Sequence, residues 1–278
     1  MPDDIPSLPE RLLILADAFT RHNDALAGLY PIRTTSSAVL HPHVLAVQTL
    51  ARSTLTAFDS VKSQPLYRSA DVCDTQVRLR QLAFLTTAAA DHLIDAGDII
   101  DAARAENPDS DDPYHSYLHA LMDAGAQIQM ARDLTALAPE TAALLAETLA
   151  AELHRQGRET PWLTAAQHTF LSPAQHGALR AIAQGQVTVS ETAGKQYASS
   201  RDGRLPITTI RALESKDLLK RQDRPNSPGE QRLHLTAAGR QTLAAAATQP
   251  RPQPTALGTR PAPKPARATA IAARPSRH

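Results

Sequence analysis

Through the first 162 residues apolar side chains recur at spacings of three and four, and prolines interrupt that rhythm where helices would start and stop. This leaves little room for strands and predicts an all-helical unit. Leu12, Leu15, Ala16, Phe19 and Leu26 form a stripe on a first helix expected over residues 9–29 and ended by Pro31. Pro42 suits the first turn of a second helix, which carries Leu45, Leu50, Leu55 and Phe58 and stops before Pro65. Asp71 is placed to cap a third, running to about Ala105 with Val77, Leu82, Leu85, Leu93 and Ile94 on its buried side and Gly97 as a candidate kink. Residues 107–112 read as a turn, and Asp112-Pro113 as the cap and first turn of a fourth helix reaching Leu134. A fifth opens at Pro139, carries Leu144, Leu145, Leu149 and Leu153, and ends near Gly157. Five antiparallel helices with short connections make a bundle.

Beyond Pro161 and Trp162 the pattern becomes mixed. Ser172-Pro173 leads a helix with Leu179 and Ile182 that ends at Gly185, and the alternating valines of Gln186-Val187-Thr188-Val189-Ser190 read as a short strand. Ile207, Ile210 and Leu213 predict a helix over residues 207–219. Residues 218–222 and 232–235 then form a hairpin around the loop Arg224-Pro225-Asn226-Ser227-Pro228-Gly229, and Thr236 caps a last helix to Ala247. From residue 249 on, Pro, Arg, Ala and Thr without apolar period predict a disordered tail.

Three stretches carry a family resemblance: Leu171-Ser172-Pro173-Ala174-Gln175-His176-Gly177-Ala178-Leu179, Ile207 through Leu219, and Leu235-Thr236-Ala237-Ala238-Gly239-Arg240. With the order of elements, they resemble the winged helix-turn-helix of MarR-like regulators over about 85 residues. The resemblance implies that the helix from Ile207 is a recognition helix and that the hairpin after it is a wing. Two positions depart from the family. Asp217 stands where a glycine is usual, at a helix exit that needs a left-handed backbone, which Asp tolerates better than most residues. The scaffold helix should occupy residues 191–203, where no apolar stripe exists. A β-hairpin turning at Ala193-Gly194, with Tyr197 packed inward, is the other reading of that segment.

If Ile207, Ile210 and Leu213 face the core, Thr208, Thr209, Arg211, Ala212, Ser215 and Lys216 lie on or beside the opposite face. Small side chains let a helix sit deep in the major groove, Arg pairs bidentately with guanine, and Thr meets a thymine methyl. An ordinary solvated helix surface has a similar composition. Arg224 and Arg232 flank the wing loop and suit phosphate or minor-groove contact, and Lys195, Arg201 and Arg204 would add a basic edge if residues 191–203 form a hairpin.

Charge divides the chain in the same way. Residues 1–162 carry 12 Lys and Arg against 22 Asp and Glu, residues 163–247 carry 11 against 6, and residues 248–278 carry 6 with no acid. Polyanionic DNA would be drawn to the second half and repelled by the first. No apolar stretch is long enough for a bilayer span, and the acidic start Met1-Pro2-Asp3-Asp4 is unlike a secretory signal. A cytoplasmic, nucleoid-associated protein is expected. The single cysteine, Cys73, rules out an intramolecular disulfide.

Enzyme motifs are poor. His115, His119 and Asp123 share a helix face, as do Asp91, Asp95 and Asp98, so a metal across the bundle is conceivable, yet the Glu-x-x-His pairs of di-iron bundles are missing. His41 and His43 read as cap or surface groups, Gly194-Lys195 lacks the rest of a phosphate loop, and Cys73 has no neighbouring His in sequence. The sequence therefore predicts a mainly α chain: an acidic helical bundle (1–162), a winged-helix α+β domain (163–248) and a disordered basic tail (249–278). The expected partner is double-stranded DNA, bound by a homodimer formed through the bundle, with neither catalysis nor cofactor. Its alternative is a protein-contact role for the winged helix in a DNA-maintenance assembly.

Overall fold

The computed structural model describes residues 6–29, 36–105, 113–157, 171–225 and 227–248. The expected turn at 107–112, the change of pattern at Pro161-Trp162 and the basic tail lie outside them. The chain is mainly helical with one small antiparallel sheet. Among the described residues no helix is long and apolar enough to cross a membrane.

The helical part consists of α1 (Leu8–Ala27), a single 3-10 turn (Ser37–Val39), α2 (His41–Ser63), α3 (Ala70–Ala105), α4 (Pro113–Thr135) and α5 (Ala138–Arg155). Local chemistry sets several of these boundaries. Ser7 and Glu10 form a reciprocal capping box, with the Glu10 carboxylate accepting from the Ser7 N–H at 2.8 Å. Prolines occupy the first turns of α1, α2 and α5. α3 passes unbroken through Gly97, which is buried beside Ser37.

The remainder is α6 (Pro173–Ala183), β1 (Thr188–Thr192), β2 (Lys195–Ser200), β3 (Gly203–Leu205), α7 (Ile207–Glu214), β4 (Leu219–Asp223), β5 (Glu230–Leu235) and α8 (Ala237–Ala246). The strands lie in the order β3-β2-β1-β5-β4, all neighbours antiparallel. Residues 191–203 thus form a hairpin, turning at Ala193 (φ 51°) and Gly194 (φ 73°) as a two-residue loop of left-handed residues. Its register pairs Val189 with Ala198, so period-two alternation sends Tyr197 to the other face. Tyr197 is accordingly 40% exposed and the expected inward packing is corrected: Ala198 fills that place.

Two apolar clusters hold the molecule. One joins the second half of α1, the first half of α2 and parts of α3 and α4 around Leu26, Val47, Leu93, Ile100 and Ile128. The other is continuous from the bundle into the sheet, linking Leu12, Phe19, Leu79 and Leu149 with Leu179, Val189, Ile210, Leu233 and Leu243. Leu45, Leu55, Val77 and Ile94, expected in the core, are 47%, 45%, 64% and 40% exposed. Both helices carry apolar residues on more than one face: the face of α2 toward α3 and α1 is covered, and on α3 the one toward α2, α4 and α5.

Two glycines mark close approaches, one to a side chain and one to a backbone. A Cβ on Gly185 (φ +70°) would lie 2.4 Å from Thr20 Oγ1, and one on Gly239 would lie 2.1 Å from the Leu218 carbonyl oxygen. Gly239→Ala, which would stabilise an exposed helix, is therefore expected to destabilise this one by about 2–3 kcal/mol in urea unfolding. His22 supplies a second prediction. Burial, with a smaller contribution from His43, depresses its pKa to about 4, and Nε2 has no hydrogen-bond partner among the described residues. The unfolded chain then binds the proton more tightly, so stability is lost as pH falls from about 6.5 to 4, by on the order of 3 kcal/mol. His22→Gln should flatten that segment of the stability–pH curve.

Candidate nucleic-acid interface

Helix α7 begins at Pro206 without a side-chain cap, and its sequence Ile207-Thr208-Thr209-Ile210 is rich in β-branched residues that favour helix only weakly. Tertiary packing holds it: Ile210 and Leu213 are fully buried. Its exit is a Schellman closure, with the Leu218 N–H bonded to the Leu213 carbonyl at 3.1 Å and the Asp217 N–H to Glu214 at 2.9 Å. Asp217 holds the left-handed position with φ 55°, so the helix stops at Glu214 instead of running to Leu219. Glu214 turns away and grips Arg221 through two oxygens at 2.5 and 3.0 Å.

The outer face of α7 presents Thr208, Arg211, Ser215 and Lys216 to solvent, with Thr209 and Ala212 half-buried at its margins. Ser215 Oγ donates to the Ala212 carbonyl at 3.0 Å, whereas the Arg211 guanidinium makes no hydrogen bond or ion pair with the described residues. On the β2–β3 hairpin, Lys195 is exposed and the Arg204 guanidinium lies 5.8 Å from the Tyr197 ring centroid. Arg201 is 69% exposed, 3.8 Å from Glu140.

The two cations beside the second loop have different surroundings. Arg232 is bidentate to Asp24 of α1, Nε to Oδ2 at 2.8 Å and Nη2 to Oδ1 at 2.6 Å, and donates to the Gly185 carbonyl at 2.8 Å. Arg224 reaches the same carboxylate at 3.1 Å and Glu230 at 2.6 Å. One helical turn pair earlier, Asp17 hydrogen-bonds the buried His234 ring. Burial alone would raise the Asp17 pKa, but His234, Arg21 and Lys220 together hold it below the usual carboxylate value. Glu147 of α5 meets Arg180 of α6 at 3.0 Å. Asp17, Asp24 and His234 belong to no motif in the sequence. Their only signal is the seven-residue spacing of the two acids, which puts them on one face of α1.

Beside Asp24 opens a cleft of about 470 Å³ whose walls include Asn23, Arg132, Glu140, Gln184 and Arg232. Its charges are of both signs, and Asn23 spends its amide N–H on the Thr135 carbonyl at 2.9 Å. Among the described residues no group of three His, Cys, Asp or Glu side chains could hold a metal ion. His115, His119 and Asp123 are all exposed on α4, and Asp91, Asp95 and Asp98 on α3.

Asp24→Asn removes the charge that Arg232 and Arg224 share and leaves two partly buried guanidinium groups under-compensated, which is expected to cost about 2 kcal/mol. Chemical unfolding of the variant checks this. No protein-family model, curated protein or solved structure matches the chain.

Proposed function

We propose that the chain binds double-stranded DNA, as a transcriptional regulator, through a winged helix similar to that of MarR-like proteins, with the β1–β2 hairpin standing where those proteins have the scaffold helix. The observation that carries this reading is the row Thr208, Arg211 and Ser215: exposed, small apart from one guanidinium that no described residue pairs, and backed by the buried Ile210 and Leu213. Such a helix can enter a major groove deeply and read guanine through Arg211. Lys195 and Arg204, on β2 and β3 where the scaffold helix would stand in the chain, are further exposed cations, whereas Arg201 faces Glu140 of α5. The basic balance of residues 163–278 supports the same reading through phosphate attraction.

Arg224 and Arg232 contribute less to DNA in this scheme than their place beside the wing loop implies, because Asp24 already neutralises them. That same observation favours a second reading, in which this part of the chain makes protein contacts within a DNA-maintenance assembly.

Selection from a pool of random duplexes separates the two. Enrichment of a defined site is expected, with Arg211→Ala losing about 1–3 kcal/mol and relaxing preference at one base position, and Thr209→Ala a weaker change. Failure of the wild-type chain to enrich any sequence, with binding unaffected by salt, would overturn the DNA reading and support the assembly one.

A further inference from the structure

The 36-residue helix α3 buries Leu79, Leu82, Leu93 and Ile100 on one face and carries a second pattern on the other. Val77, Arg80, Phe84, Thr87, Asp91 and Ile94 are all exposed, and their spacing alternates three, four, three, four, three. This is the a and d spacing of a coiled-coil seam, sustained for about 26 Å at 1.5 Å per residue. Phe84 is 72% and Val77 64% exposed, a large unpartnered apolar area for a helix centre. The Arg80 and Asp91 side chains make no ion pair or hydrogen bond with the described residues.

We infer that this face of α3 pairs with the same face of a second copy of the chain, antiparallel, about a two-fold axis between Leu85 and Thr86. The face is self-complementary. In that register Val77 meets Ile94 of the second copy, Arg80 meets its Asp91 and Phe84 packs over its Thr87, each contact occurring twice. Apolar residues face apolar residues at both ends, and every charge in the seam finds the opposite charge. A parallel pairing sets Arg80 against Arg80 and Asp91 against Asp91. Sliding the antiparallel pair by one heptad brings Phe84 to Ile94 and Arg80 to Asp98, but forces Asp91 against Thr87 and Asp101 against Val77. Two ion pairs within six layers fix register at a cost in affinity, so a dimer in the micromolar range fits the composition. The inference is independent of DNA binding.

Sedimentation of the full chain across concentration tests it. The wild type is expected to move from the 29.9 kDa monomer to twice that mass. Arg80→Asp and Asp91→Arg, each placing like charges together in the seam, are expected to raise the dissociation constant about tenfold or more. The double variant Arg80→Asp/Asp91→Arg should restore dimerisation, since the swapped charges still meet across the two-fold axis. Phe84→Ser should weaken the dimer without changing the helical circular dichroism signal, because Phe84 is external to the monomer core. A wild type that stays monomeric at every concentration overturns the inference. So does a double variant that stays monomeric, or rescue of Arg80→Asp by Asp98→Arg in place of Asp91→Arg.

Discussion

A single carboxylate, that of Asp24, sits between the acidic bundle and the basic half of the chain and binds two guanidinium groups, one from β5 and one from the loop before it. Around it the other contacts between the halves repeat the polarity: Asp17 with His234, Glu147 with Arg180, Glu140 with Arg201, each with the acid on the bundle. The division of charge along the sequence is therefore partly consumed inside the fold. Fixed this way, β5 lies against α1, and the sheet's other face is left to carry the apolar contacts of α6 and α7. The outward aim of α7 follows from that arrangement, since its own first turn is held by packing and has no cap.

The helices were legible because their signals are local. Pro9, Pro42, Pro139 and the pair Ser172-Pro173 announce helix starts within a few residues, and the structure follows them closely. Burial was less legible. Val77 and Ile94 are as apolar as Leu79 and Leu93, and periodicity alone cannot say which of two stripes on one helix is covered. The hairpin at residues 191–203 was one of two readings, and the small Ala198 gave no hint that it would displace Tyr197 from the core side.

The candidate interface was legible in part for a similar reason. Which side of α7 faces outward follows from Ile210 and Leu213, three residues apart and both apolar. The commitment of Arg232 to Asp24 depends on residues 208 positions apart in the chain, and no spacing within either segment encodes it. Asp217 shows the opposite case: a departure from the expected glycine that the backbone accommodates in the left-handed conformation, keeping the turn it was meant to make.

The apolar cluster running from Phe19 through Leu149 to Leu179 and Leu243 has a consequence for how this chain could be rearranged. A piece beginning at α6 would carry away one side of a shared interior and leave Leu179, Ile182 and Leu243 facing water, while the helices left behind would lose the lid over Leu12 and Leu149. The basic half is thus no portable cassette to be grafted elsewhere, and whatever it grips, the acidic helices come along.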